Sequence, residues 1–175
     1  MLPSVALRDT QRNMSLSNSP LKVLISGAGI AGPCLAYWLS RTDINTSITI
    51  VERSSIPRPT GQSIDVRGAA INVIKKMGLE KKVRARDTTE QGTRMIDTKG
   101  KAFAEFTKGD AFTAEYEILR ADLCGLFLDA TQNLENVKYT YGDYVTAITP
   151  RSSTTSPSTV NFSSGKQEDF DLIIA

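Results

Sequence analysis

Val23-Leu24-Ile25-Ser26-Gly27-Ala28-Gly29-Ile30-Ala31-Gly32-Pro33 decides how this chain is read. The apolar run from Leu21 to Ser26 has the length and composition of a strand buried on both faces. Glycines follow at once in G-x-G-x-x-G order, and the segment from Ile30 to Ser40 then carries Ile30, Cys34, Leu35, Trp38 and Leu39 at helical spacing. Ser47-Ile48-Thr49-Ile50-Val51 is β-branched and ends at Glu52, an acid twenty residues beyond Gly32. A glycine motif alone is a weak signal. One that leaves a strand, opens a helix and is answered by an acid after a second strand predicts a β-α-β dinucleotide site.

Each residue of the motif has its own physical task. Gly27 permits the tight turn out of the strand, Gly29 lets a pyrophosphate approach the backbone with Ala28 between them in the loop, and Gly32 lets helix and strand pack closely. The helix N-terminus faces the anion. A carboxylate at Glu52 can accept both hydroxyls of an adenosine ribose and repels a 2′-phosphate, which favours FAD or NAD over NADP here. Arg53 follows, either as a border to the adenine or as a solvated side chain. The glycines do not separate FAD from NAD, because both present the adenosine diphosphate half that this motif contacts.

Outward from the motif, Ile56-Pro57-Arg58-Pro59-Thr60-Gly61 is a loop by its Pro and Gly content. Ala69 to Met77 reads as a helix ending near Gly78, with Leu79 to Ala85 extending or restarting it. Thr93 to Ile96 and Ala102 to Phe106 flank a Lys99-Gly100 turn and predict a hairpin. Arg120 stands before a helix over Ala121 to Asn133, whose Leu123, Leu126, Phe127 and Ala130 share one face. Val137 to Thr140, Tyr144 to Ile148, Thr159 to Phe162 and Leu172 to Ala175 are strand candidates, with a Ser/Thr/Pro loop at Ser152 to Ser158. Trp38 and Tyr37 are expected to pack on the first helix. Residues 1 to 19, rich in Ser, Asn and Arg, read as a flexible leader, and Met14 is a second candidate start.

Composition narrows the rest. At 175 residues, one domain is expected. Charge is balanced at +2, too even to imply nucleic acid as the main partner, and none is expected. Lys75, Lys76, Lys81, Lys82, Arg84 and Arg86, interspersed with Glu80 and Asp87, read as a solvated helix face. The chain has no histidine, so Ser-His-Asp and Cys-His catalysis and histidine metal sites are out. Cys34 and Cys124 lack C-x-x-C spacing and are expected to be small apolar core residues. No signal-peptide pattern or transmembrane stretch is present, so the expectation is a soluble, cytoplasmic protein without a membrane partner.

Four features together resemble the FAD-dependent monooxygenases that include aromatic hydroxylases and tetracycline-modifying enzymes. They are the glycine segment from Val23 to Pro33; Val51-Glu52-Arg53; Gly61-Gln62-Ser63-Ile64-Asp65-Val66 before a helix; and Leu119-Arg120-Ala121-Asp122-Leu123 opening another. The resemblance implies an α/β fold, a Rossmann-like FAD-binding domain over residues 20 to 175 with a parallel sheet and a β-hairpin or meander addition. It implies FAD as cofactor, Glu52 on the adenosine ribose and Arg120 between the pyrophosphate and flavin ends. The loop carrying Gly61 and Ser63 would pass the flavin and ribityl region.

In that family a strand like Asp171 to Ala175 leads into G-A-D-G and a later G-D motif, neither of which this sequence contains. The domain is therefore expected to be incomplete, with exposed sheet edge and apolar surface. The activity implied is hydroxylation of an aromatic or polyketide-like molecule with NAD(P)H and O2, in a secondary-metabolite pathway. Two other readings stay open from the residues: a non-catalytic FAD-binding remnant or module, and an NAD-dependent dehydrogenase domain. No residue offers a catalytic acid or base, which suits chemistry carried by a flavin.

Overall fold

The computed structural model describes residues 19–110, 114–153 and 156–175. The expected leader lies outside the described residues except for Ser19, as does part of the 152–158 loop. The chain runs β1 (Leu21–Ser26), α1 (Ala31–Leu39), β2 (Thr46–Glu52), β3 (Ser63–Asp65), α2 (Ala69–Lys76) and α3 (Glu80–Arg84). It continues with β4 (Gly92–Ile96), β5 (Ala102–Thr107), β6 (Glu117–Leu119) and α4 (Arg120–Asp129). Last come β7 (Val137–Tyr141), β8 (Val145–Thr149), β9 (Ser158–Phe162), β10 (Gln167–Phe170) and β11 (Leu172–Ile174).

The main sheet is parallel, in the order β11-β1-β2-β7. The chain first works outward from β1 through β2 to β7, then returns to add β11 on the other side. That reversal makes a switch point beside β1, and ligands of such sheets bind outside the carboxyl ends of the strands there. The glycine loop leaves β1 at that place.

Two cores sit on the two faces of this sheet, set by strand alternation. Val23 and Ile25 of β1, with Ile48 and Ile50 of β2, face α1 and meet the fully buried Ala36. Leu24 and Val51 point the other way, onto Val160, Phe162 and Phe170 of the antiparallel meander β8-β9-β10. Each such large side chain contributes roughly 1.5–3 kcal/mol by leaving water. A third core joins Tyr37 of α1 to Ile74, Val83, Ile118, Leu126 and Phe127.

The predicted apolar face of α1 divides between these cores. Leu35 and Leu39 pack toward the sheet, whereas Cys34 and Trp38 pack on the third core and are half-buried. Their outer sides line an open apolar groove of about 540 Å³ with Ile30, Ile64, Val66 and Phe127. The two cysteines are free thiols, half-buried as small apolar groups. No helix among the described residues is long and apolar enough to cross a membrane.

The hairpin forms as β4-β5, with Gly100 at φ +78° and the Asp97 carboxylate accepting the amides of Lys99 and Lys101 at 2.8 and 2.9 Å. Gly78, at φ +71°, ends the α2 turn where the sequence placed it. The basic stretch is a surface ion-pair group: Glu80 receives Lys75 at 3.9 Å and Arg84 at 3.4 Å, and Arg84 also reaches Glu115 at 2.8 Å. Three strands depart from expectation, β3, β6 and β10. Arg120 is the first residue of its helix rather than the residue before it.

Asp143 anchors the meander to the exit of β2. Its carboxylate accepts the Ser163 hydroxyl at 2.7 Å, the Ser164 amide at 3.0 Å and the Ser164 hydroxyl at 2.7 Å. Its own amide donates to the Glu52 carbonyl at 3.1 Å, while the Gly142 amide donates to the Ser54 carbonyl at 2.9 Å. The serine hydroxyls hold the Asp143 carboxyl down at about 2, against the opposing effect of burial. A carboxyl depressed by folding stabilises the native state above its unfolded value of about 3.9 and loses that contribution as pH falls toward the folded value. Asp143→Asn is therefore expected to lower the thermal midpoint at pH 7, with the gap to wild type shrinking between pH 4 and pH 2. A gap that stays constant across that range would show that the charge is not responsible.

Candidate functional site

The site grows from the turn after β1. Gly27 adopts φ +107°, a conformation an L side chain rarely takes, and its amide donates to the Val51 carbonyl at 2.7 Å. This fixes the loop to the end of β2. α1 then begins with Ile30 at its N-cap, whose side chain gives no hydrogen bond to the first turn. Pro33 in that turn removes one donor, and the others are left for an external acceptor.

Gly32 and Gly29 serve opposite ends of this design. A Cβ on Gly32 would lie 2.1 Å from the Gly27 carbonyl oxygen, so close approach of α1 to the strand exit requires glycine. A Cβ on Gly29 would meet nothing within 4 Å. The space above Gly29 is open, as a diphosphate running past the backbone requires.

Glu52, at the end of β2, turns its carboxylate into the loop. One oxygen accepts the Ala28 amide at 2.9 Å and the other the Ser54 amide at 3.0 Å. Burial pushes this carboxyl up, but the Ser54 and Ala28 amides, with the charges of Arg58 and Arg53, outweigh it and bring it below the usual carboxylate range. It is an ionised acceptor at neutral pH, and each oxygen keeps a lone pair for a further donor.

Arg120 enters from the other side. β3 and β6 pair antiparallel with Ser63 opposite Leu119, and the Arg120 amide donates to the Gln62 carbonyl at 3.0 Å. Gly61 lies against the Arg120 stem: a Cβ there would sit 2.8 Å from the Arg120 Cβ. The two segments, far apart in sequence, are thus one structural unit.

Ala28, Gly29, Glu52, Ser54, Pro57, Arg58, Arg120, Ala121, Cys124, Gly125 and Leu128 enclose a cleft of about 130 Å³. Of the predicted site residues, Ala28, Gly29, Glu52 and Arg120 line it. Gly27 and Gly32 shape it from behind, and Gly61 positions Arg120. Ser63 lies on β3, where its hydroxyl joins the Glu90 carboxyl in holding the Glu117 carboxyl down. Arg53 is not part of the cleft wall; its guanidinium lies over the Tyr144 ring, 5.7 Å from the centroid. Arg58 and Ser54 line the cleft without having been singled out from the sequence. Proline on both sides of Arg58 was the available signal for a fixed loop, but nothing local indicated which way its side chain faces.

These residues fit the adenosine diphosphate half of a dinucleotide. Uncapped helix amides and two arginines suit a diphosphate, and a carboxylate with open lone pairs suits ribose hydroxyls. The space above Gly29 gives the backbone access.

Comparison with known proteins agrees with this chemistry. A family profile described as an FAD binding domain matches residues 20–168. An FAD-dependent monooxygenase of Sarocladium schorii is 42% identical over 126 residues, covering 68% of this chain and 29% of that protein. A flavin-dependent monooxygenase of a Phoma species is 39% identical over 161 residues, covering 88% of this chain and 37% of the relative. Among solved structures, the tetracycline destructase Tet(51) matches with a TM-score of 0.70 and 34% identity over 88% of this chain and 38% of its own. The chain thus spans less than two fifths of the length of these relatives.

Proposed function

The chain belongs to the family of FAD-binding domains carried by flavin-dependent monooxygenases, and from that membership we propose that it seats FAD for the hydroxylation of an aromatic or polyketide-like small molecule. The observation that carries the reading is the cleft in which Glu52, the Gly29 backbone and Arg120 converge. In this reading Glu52 holds the adenosine ribose, the α1 amides face the diphosphate, and Arg120 contacts the cofactor between its diphosphate and flavin ends. Ser63 on β3 and Gly61 in the loop before it lie along the cofactor's onward path, and Arg53, over the Tyr144 ring outside the cleft wall, borders the outer edge of the adenine.

FAD, once reduced by NAD(P)H, supplies the electrons with which O2 is activated. The described residues bind and orient the cofactor. The ionisable groups of the cleft are Glu52, Arg58, Arg120 and Cys124, and burial raises the Cys124 thiol against the opposing charges of Arg120 and Arg58. That thiol is therefore a neutral wall group at pH 7. The location proposed is cytoplasmic, where reduced nicotinamide is available.

The test is the visible spectrum of the purified chain after incubation with FAD and desalting. Flavin bands retained near one per chain, and removed by excess ADP, are the expected result. Folded protein that retains no flavin and shows no saturable titration with FAD would overturn the reading.

A further inference from the structure

We infer that Arg58, in the loop between β2 and β3, is a diphosphate-binding residue of this site, an inference that rests on the proposed dinucleotide reading. Three observations carry it. Arg58 lines the same cleft as Gly29 and Arg120. It has no hydrogen bond or ion pair among the described residues, and both oxygens of the nearby Glu52 carboxylate are already engaged by the Ala28 and Ser54 amides. Its loop is stiffened on both sides, because Pro57 fixes its own φ and Pro59 disfavours helical geometry at position 58.

Together these describe a cation held at a cleft wall before any ligand arrives. An exposed arginine on a free loop loses chain entropy when it is fixed on a ligand. A proline on each side removes part of that loss in advance. The charge is felt across the cleft: it helps lower Glu52 on one wall and opposes the rise of Cys124 on α4 at the other. A carboxylate beside the arginine does not consume it, since no ion pair forms. The group that fits between these walls is a dianionic diphosphate, which a guanidinium can take with two parallel hydrogen bonds.

The experiment compares ADP with adenosine, which lacks the diphosphate, by calorimetric titration of wild type, Arg58→Ala and Arg58→Lys. Arg58→Ala is expected to weaken ADP by about tenfold or more while adenosine changes by less than about twofold, with Arg58→Lys between them for ADP. The dependence of ADP affinity on salt should also become shallower in Arg58→Ala. Wild type that binds ADP, with Arg58→Ala binding it equally well or losing ADP and adenosine alike, would overturn the inference and leave the site itself intact. Wild type that fails to bind ADP would overturn the dinucleotide reading on which it rests. Arg58 is exposed, so the variants should melt as wild type does. If Arg58→Ala melts lower, Arg58→Gln, which keeps the stem, decides the comparison in its place.

Discussion

Gly32→Ala is expected to destabilise the chain by about 3 kcal/mol or more, at or beyond the upper end of the usual overpacking range. The added methyl would stand 2.1 Å from the Gly27 carbonyl oxygen and 3.3 Å from Ile25 Cγ2. Neither neighbour can give way cheaply. The clashing Gly27 carbonyl belongs to the peptide whose Ala28 amide donates to Glu52, the Gly27 amide itself is tied to the Val51 carbonyl, and Ile25 is in the core. α1 must therefore move off the strand, opening contacts around Ala36. Against a typical total of about 5–15 kcal/mol, that is a large fraction of native stability. Gly29→Ala is the matched control: with nothing within 4 Å, it should keep the wild-type urea midpoint while weakening FAD, because the methyl occupies the diphosphate's path. Equal midpoints for Gly32→Ala and wild type would refute the packing account.

Glu52→Gln is expected to weaken FAD on the order of 100-fold. Two hydrogen bonds from ribose hydroxyls to a charged acceptor are worth about 1.5–3 kcal/mol each, and 1.4 kcal/mol is tenfold in affinity. The amide also turns an N–H toward one of the two backbone donors now satisfied by the carboxylate, Ala28 or Ser54, so the loop itself loosens. The pH dependence has a definite sign. The folded carboxyl titrates below its usual range, so the ionised acceptor persists as pH falls from 8 to 5, and binding through it should decline only under more acidic conditions. FAD affinity unchanged in Glu52→Gln, measured by fluorescence titration, would remove Glu52 from the site.

The centre of the fold was legible because its signals are local. Glycines, a β-branched strand and an acid at fixed spacing describe one continuous β-α-β unit, and the structure builds it with boundaries shifted by a residue or so. β3 and β6 were missed because three residues are too short for alternation to register. Only the complete burial of Ile118 marks their pairing, and burial is a tertiary fact. β10 was missed for another reason: Gln167-Glu168-Asp169-Phe170 is polar except for Phe170, which alone reaches the meander core.

The site divides along the same line. Glu52 and the glycines were readable because the motif fixes their geometry. Arg120 was found through a resemblance rather than through its own surroundings. Arg53 and Arg58 show what spacing cannot decide. Arg53 adjoins Glu52 in sequence, yet it turns to the Tyr144 ring, whereas Arg58 sits in a stretch readable only as a loop and comes back to the cleft. Which side of a loop faces a cavity depends on what the rest of the chain puts there.

Gly61 and Arg120 meet at the β3-β6 pairing, so everything strung between them is an excursion that departs from and returns to one point. Among the described residues its β4-β5 hairpin shares no ladder with another sheet. Closing a longer loop becomes only slowly more difficult, by about 0.6 kcal/mol for each doubling. The hairpin can therefore grow, shrink or be exchanged as a cassette while the arginine stays where it is. Chain length within the hairpin is thus a free variable of this architecture, whereas α2 and α3 are held by Ile74 and Val83 in the third core, and an alignment that penalises gaps in the hairpin measures surface ornament rather than loss of the site.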